Sequence, residues 1–295
     1  MLYVRWFRLF MSYAVFIMAG IAVYNYDLSI YLLRQAKGQL HVLYLRESFE
    51  DFKAKNHLSA HQFSNLALVE LIKKYSVDSL GYKPTDNFTR IYDQHEQPIL
   101  WVITASEKYE LKAVEWNFPV IGSVSYKGFF REDLALKEKN KLQARGFDVG
   151  IRSVSAWSTL GWFKDPLLSS HLNKSKGSLC NLLFHELFHA TFYEAGRIND
   201  NENLANFIAH KATLQFLRND TSALKEYMTH HNEWEKLVQF LHANTKTYRS
   251  SLDTISRSGN KLALKQKQLY LLIVSCCCFN LFTAGLVCKN NSLLF

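Results

Sequence analysis

Residues 179–195 form an almost entirely apolar segment that nevertheless carries His185, Glu186 and His189. No Gly or Pro interrupts the segment, so we predict a helix there, with Ser178 as its N-cap. Apolar side chains occupy all sides of this helix, which is typical of a helix buried in a protein core. Burying two histidines and a carboxylate costs several kcal/mol unless something compensates them. The fold must therefore supply a partner for these three side chains.

The spacing of the three polar residues predicts a metal site. His185 and His189 are four residues apart and lie one above the other on the same face of a helix. Their imidazoles can hold one metal ion through two nitrogens at about 2.0–2.1 Å each. Glu186 is offset from that face and can reach a metal-bound water, which is the general-base position of an HExxH metallopeptidase. A chain of this composition would contain the motif by chance only roughly 0.02 times.

The third metal ligand is expected downstream of the motif. Phe192 and Ala195 stand where a metzincin needs Gly and His, so that continuation is absent. A turn over residues 196–200 is expected to precede a new helix that opens at Asn201, and Glu202 in its first turn is the predicted ligand. The alternatives are Glu194 on the first helix and Asp200 in the turn.

Other polar residues are candidates for supporting roles. Asn206 can accept a hydrogen bond from the far ring nitrogen of a ligand histidine and so fix its tautomer. His210 either approaches the site or is an ordinary core histidine, which is the more common case. Tyr126 and Tyr193 are candidates to stabilise negative charge on a reacting carbonyl.

The order of sequence patterns predicts an α+β fold with a mainly helical C-terminal half. Apolar residues at helical spacing favour helices over residues 35–52 and 59–75. The chain then changes to β-rich segments, with strands predicted at 99–104, 120–126 and 147–157 and a charged helix at 131–145. After Pro166 nearly everything to residue 258 is expected to be helical.

Two histidines, one glutamate and a water constitute an open zinc site of the catalytic type, so Zn2+ is the predicted cofactor. The implied reaction is hydrolysis of a peptide substrate. A metallopeptidase of this kind also needs an edge strand that holds the peptide by main-chain pairing. Residues 147–157 are the first candidate for that strand and residues 120–126 the second, although both also fit an ordinary core sheet.

The N-terminus has the layout of a signal anchor. Arg5 and Arg8 precede an uncharged run over residues 9–24, whose sixteen residues would make roughly 24 Å of helix. We predict an uncleaved transmembrane anchor over residues 1–28, with the positive start in the cytoplasm. A signal cleaved after Ala22 and a buried N-terminal helix are the alternatives.

The C-terminal residues 261–295 form a hydrophobic tail beyond a peptidase domain predicted over 29–260. Residues 269–288 are uncharged and contain four of the five cysteines. Two interpretations stay open, a second transmembrane segment or an aberrant C-terminus. The remaining cysteine, Cys180, excludes a disulfide framework in the body of the chain.

The charge distribution argues against nucleic acid as a partner. Lys and Arg number 35 against 26 Asp and Glu, a net charge of +9. These basic residues are scattered and form no basic arm or stripe, as a nucleic-acid-binding surface would. No sequence signal sets the oligomeric state.

Several stretches between residues 31 and 216 resemble the predicted aminopeptidases of bacterial envelopes, which are grouped with the zincin-like metallopeptidases. They are Gln35-Ala36-x-Gly38-Gln39, Trp116-x-Phe118-Pro119-Val120-x-Gly122, Tyr126-x-Gly128-x-Phe130, Ser158-Thr159-Leu160-Gly161-Trp162-Phe163-x-Asp165-Pro166-Leu167-Leu168, the HExxH motif and Asn201-Glu202. The resemblance implies a zincin-like fold, zinc-dependent peptidase activity and Glu202 as the glutamate ligand.

Two departures from that family bear on location and activity. Its members commonly carry a lipidated cysteine before the Gln-Ala-x-Gly-Gln stretch, whereas residues 18–23 contain none. A transmembrane anchor is expected to replace the lipid, which places the chain in a bacterial inner membrane with its catalytic domain facing the periplasm. The chain also leaves the family pattern near Leu269. The alternative function is a membrane-anchored, non-catalytic interaction protein with a structural or vestigial zinc site.

Overall fold

A computed structural model describes Trp6 and residues 24–108, 112–118, 122–154, 164–194 and 197–258. The chain divides into two compact units, Met1–Leu45 and Arg46–Phe295. Helix α1 (Tyr26–Leu45) makes up most of the described part of the first unit. Within the described ranges, no helix combines the length and apolar character needed to cross a membrane. The predicted anchor run and the uncharged tail run lie outside those ranges, except for Tyr24, and stay predictions.

Two helices open the second unit, α2 (Phe49–Lys55) and α3 (Ala60–Asp78). The prediction of one helix over 35–52 is wrong, because the backbone leaves the helix before Ser48. The Ser48 hydroxyl accepts the Asp51 N–H at 3.0 Å and caps a new helix. Glu47 instead exchanges backbone hydrogen bonds with Ile91. The helix predicted at 59–75 is confirmed as α3, which begins with a capping box.

Short strands and one helix follow, in a mixed helix-and-strand arrangement. They are β1 (Ile91–Tyr92), β2 (Leu100–Ser106), β3 (Trp116–Phe118), β4 (Gly122–Val124), β5 (Lys127–Phe129), α4 (Glu132–Ala144), β6 (Asp148–Val154) and β7 (Leu167–Leu168). The largest sheet has the order β5-β2-β6 and is antiparallel. β3 and β4 form an antiparallel pair, and β1 and β7 a parallel one. In the described ranges β6 is therefore an edge strand.

The predicted strands at 99–104 and 147–157 are confirmed as β2 and β6, with residues 155–157 outside the described ranges. The helix at 131–145 is confirmed as α4, and Gly146 follows it with a positive φ of 89°. The strand predicted at 120–126 is shorter, because β4 ends at Val124. β7 lies where helix was expected, since two residues are too few to show a period.

The helical half consists of a 3₁₀ turn (Ser169–Asn173), α5 (Lys176–Thr191), α6 (Ile198–Phe216) and α7 (Thr221–Ser258). α5 carries the HExxH motif through the core and packs against α3, α6 and α7. Its N-cap is Ser175 and not Ser178, because the Ser175 hydroxyl accepts the Ser178 N–H at 3.4 Å. The helix ends four residues earlier than predicted, since Phe192 is extended.

Gly177, in the first turn of α5, permits a close approach of α7. A Cβ at this position would lie 2.5 Å from Cβ of Tyr227, which is closer than unbonded carbon atoms can come. Beside it, Lys176 and Asp220 form an ion pair at 2.7 Å that joins the start of α5 to the turn before α7. The first turn of α5 and the second turn of α7 are therefore closely packed.

Candidate metal centre

Three side chains converge between α5 and α6. His185 and His189 lie on α5, and Glu202 lies in the second turn of α6. The two histidine Nε2 atoms are 3.0 Å apart. The carboxylate oxygens of Glu202 lie 3.2 Å from Nε2 of His185 and 3.3 Å from Nε2 of His189. All three side chains are largely buried, so the structure brings together the three residues that the sequence predicted as metal ligands.

The separations between these atoms fit a metal ion. Zinc–nitrogen and zinc–oxygen distances of about 2.0–2.1 Å correspond to tetrahedron edges of roughly 3.3–3.4 Å. The Nε2–Nε2 separation of 3.0 Å lies near that edge, as do the separations of 3.2 and 3.3 Å from each Nε2 to a different oxygen of Glu202. The donor set also suits zinc, because imidazole and carboxylate are both ordinary zinc ligands. The group can therefore hold a metal ion without a large rearrangement.

The return turn between α5 and α6 positions Glu202. Asn201 is 1% exposed, and its side chain makes two hydrogen bonds to the backbone of Glu194. Its Oδ1 accepts the Glu194 N–H at 2.9 Å, and its Nδ2 donates to the Glu194 carbonyl at 2.7 Å. α6 begins at Ile198, three residues before the predicted start. The sequence analysis gave Asn201 no role, although it is part of the Asn-Glu pair in the family resemblance.

The electrostatics of Glu202 are dominated by the two histidines. Burial alone would raise the pKa of this carboxyl group. Hydrogen bonds and favourable charge interactions with His185 and His189 outweigh that effect and lower its pKa to about 2. Burial opposes the charging of His189, but the hydrogen bond and charge of Glu202 raise its pKa overall. Glu202 is thus held as a carboxylate, the form that binds metal.

Glu186 has the opposite electrostatic character. Burial raises the pKa of its carboxyl group, and the charges of Glu202 and Asp165 raise it further, against lowering by the two histidines. A raised pKa makes a carboxylate a better acceptor of protons near neutral pH. Asp165, which is 2% exposed, is a site neighbour that the sequence analysis missed. Its only sequence signal was its place in the Asp165-Pro166-Leu167-Leu168 stretch of the resemblance.

The alternative third ligands lie at the surface. Glu194 and Asp200 are both exposed, and both form ion pairs with Arg197. These contacts hold Glu194 in the return turn and Asp200 in the first turn of α6. Of the three candidates, only Glu202 meets the histidines.

The predicted hydrogen bond from a ligand histidine to Asn206 is not made. Asn206 is buried and donates its Nδ2 to the carbonyl of Glu202 at 2.7 Å. Among the described residues its Oδ1 has no hydrogen-bond partner, and neither has Nδ1 of His185 or His189. Asn206 therefore supports the backbone of Glu202 rather than a histidine ring.

Tyr126 and Tyr193 both lie near the centre. The ring of Tyr193 packs edge-on against His189, with 6.5 Å between ring centroids. Burial of the Tyr126 hydroxyl raises its pKa, and the charge of Glu202 raises it further, whereas Arg152 of β6 lowers it. As a whole residue Tyr126 is 44% exposed although its hydroxyl is buried, and Tyr193 is 41% exposed.

Comparison with protein families gives an independent assignment. The sequence profile of a family described as "Putative aminopeptidase" matches residues 30–272. The chain belongs to this family. The match extends well beyond residue 216, where the resemblance noted from the sequence ends, and it contains all of α5, α6 and α7. No curated protein and no solved structure gave a match.

His210 of this aminopeptidase-family chain is not at the metal centre. Its Nδ1 is hydrogen-bonded to the hydroxyl of Tyr227 at 2.9 Å, and its ring stacks on His231 with centroids 4.0 Å apart. Burial lowers the pKa of His210 to about 4, with smaller contributions from the charges of His231 and Lys211. Of the two roles considered for His210, a place at the site or a place in the core, the structure shows the core histidine.

We expect His210 to make the family domain less stable in acid. The folded chain binds fewer protons at His210 than the unfolded chain between about pH 6.5 and pH 4, so acidification in that window favours unfolding. In the presence of a chelator, the thermal unfolding midpoint should fall from pH 7 to pH 4, and His210→Gln should reduce that fall. His230→Gln, at an exposed neighbour of His231, is the control. An equal fall of the unfolding midpoint in the wild type and His210→Gln would contradict the assignment of His210 as a core histidine.

Proposed function

We propose that this chain is a zinc-dependent peptidase that hydrolyses peptide bonds, with Glu186 as general base. The observation that carries the proposal is the convergence of two Nε2 atoms and a carboxylate at tetrahedral separations between α5 and α6. Membership of the aminopeptidase family supports hydrolysis of peptides as the reaction.

His185, His189 and Glu202 would hold the zinc ion. Three protein ligands leave a fourth position for water or substrate, as in catalytic zinc sites. Zinc bound there would lower the pKa of a water molecule and polarise a substrate carbonyl. The HExxH helix supplies two of the ligands from a rigid, buried element, so both histidine rings are held in place before any metal arrives.

Glu186 would accept a proton from the attacking water. It follows His185 directly on α5, and burial raises its pKa toward the range in which a carboxylate works as a base. Protonated Glu186 can then deliver that proton to the leaving amine. The hydroxyl of Tyr126 is the group we propose to donate a hydrogen bond to the developing negative charge on the carbonyl oxygen.

The edge strand β6 is our proposed binding strand for the peptide main chain. In the described ranges it pairs with β2 on one side only. Arg152 of β6 acts electrostatically on the Tyr126 hydroxyl, on which Glu202 also acts. These interactions support the placement of strand β6 near the metal ligands. A peptide paired with β6 would present its carbonyl group to the metal centre.

We further propose that residues 1–28 anchor the domain in a bacterial inner membrane, with residues 29–260 in the periplasm. The proposal rests on Arg5 and Arg8 before the uncharged run over 9–24. The family match begins at residue 30, after this segment.

The metal site predicts about one zinc ion per full-length chain purified in detergent. His189→Ala removes one of three ligands and should lose that ion, whereas His230→Ala, at an exposed position, should keep it. Cysteine thiolates also bind zinc, so the measured quantity is the difference in zinc content between wild type and variant. Equal zinc content in wild type and His189→Ala would exclude the proposed site.

Glu186→Gln should lower kcat/KM by roughly 10²–10⁴-fold, because a proton acceptor is lost while the ligands are kept. Hydrolysis of a panel of free and N-blocked peptides, with zinc content measured in parallel, checks this expectation. Glu194→Gln is the matched control, since it makes the same change at an exposed carboxylate. Undiminished cleavage by Glu186→Gln would refute the mechanism, and zinc binding without turnover in the wild type would favour the non-catalytic alternative.

The anchor predicts that the full chain stays in the membrane fraction after a carbonate wash. Protease added outside spheroplasts should digest residues 29–260, while intact cells protect them. Removal of residues 269–295 should leave membrane retention unchanged, and removal of residues 1–28 should abolish it. A full-length chain found in the soluble fraction would contradict the proposal.

A further inference from the structure

The hydroxyl of Tyr227 joins three helices through hydrogen bonds. From α5, Asn181 donates its Nδ2 to this hydroxyl at 3.0 Å. From α6, Nδ1 of His210 lies 2.9 Å away. Asn181 is fully buried and Tyr227 is 5% exposed, so this polar contact between helices is shielded from water. We refer to the Tyr227 hydroxyl and its contacts with Asn181 and His210 as the Tyr227 bridge.

The Tyr227 bridge lies on the same helix pair as the metal ligands. Asn181 precedes His185 by four residues on α5, and His210 follows Glu202 by eight residues on α6. α5 and α6 are joined by a short turn and pack side by side. Along the axis of α5, the bridge lies about 6 Å from His185. The metal ligands and the Tyr227 bridge therefore both link α5 to α6.

α7 holds Tyr227 in a fixed place. Gly177 lets the Tyr227 backbone approach α5, and Lys176 pairs with Asp220 just before α7 begins. Oδ1 of Asp220 also accepts the Ala223 N–H at 3.1 Å, which satisfies a backbone donor in the first turn of α7. The phenol therefore reaches α5 and α6 from an anchored helix.

We infer that Tyr227 is a positioning residue that sets the register of α6 against α5, so that Glu202 meets His185 and His189. The inference rests on the proposed zinc site. Apolar packing between helices is non-directional, whereas hydrogen bonds to two defined atoms fix the sliding of one helix along the other. A slide of one residue moves a side chain by about 1.5 Å, and metal–ligand distances tolerate only about 0.2 Å.

Tyr227→Phe tests the inference, since it removes the hydroxyl and keeps the ring. Zinc affinity of the full chain in detergent is measured by competition with a chromophoric chelator. We expect the zinc Kd to rise about 10–100-fold, the range seen when groups supporting metal ligands are lost. Tyr82→Phe is the matched control, because Tyr82 is also buried but its hydroxyl has no hydrogen-bond partner in the part of the chain that the structure describes. Tyr82→Phe should leave the zinc Kd unchanged.

Urea unfolding of the metal-free variants separates positioning from general stability. A merely structural Tyr227 would lower the metal-free midpoint and leave the zinc Kd of the folded variant at the wild-type value, which would overturn the inference. Asn181→Leu removes the α5 contact to Tyr227 at similar volume, and the same comparison applies to it if Tyr227→Phe yields too little folded protein. A wild type that binds no zinc at His185 and His189 would instead refute the proposed function.

Discussion

The structure depends on the burial of charged and titratable groups within an apolar helix. α5 is surrounded by core residues along most of its length, yet it carries His185, Glu186 and His189 into that core. Such burial is unfavourable unless each group is compensated. Glu202 supplies the compensation for the two histidines from α6. The proposed chemistry and the stability of the core therefore rest on the same helix pair.

The supporting contacts around this pair lie at its two ends. At the return turn, Asn201 binds both backbone groups of Glu194 and fixes where α6 starts. Toward the other end, Tyr227 reaches both helices from α7. Glu202 lies between these contacts, so its carboxylate is located by polar interactions on both sides. Directional hydrogen bonds of this kind fix a geometry that apolar packing leaves free.

The sequence predicted those parts of the site that depend on local spacing. The positions of His185, Glu186 and His189 on one helix follow from a four-residue interval. The choice of Glu202 over Glu194 and Asp200 rested on its expected place in the first turn of the next helix, and the family resemblance supported it. The roles of Asn201, Asp165 and Tyr227 were missed, since each acts through a contact between residues that are not neighbours in a helical pattern. The apolar pattern predicts Ser178 as the cap because Ser178 directly precedes the apolar run, whereas the helix begins three residues earlier, in polar sequence that carries no apolar period.

The parallel pairing of β1 and β7 has a consequence for how the chain folds. Ile91 and Leu167 face each other across this pair although they are 76 positions apart, and Glu47 joins the same place through Ile91. Closing a loop of that length costs about 4 kcal/mol of chain entropy. Topologies rich in such distant contacts fold slowly. Before this loop closes, α3 and α5, which flank it in the chain, do not yet pack together, and the apolar face of α5 that α3 covers is prone to aggregation.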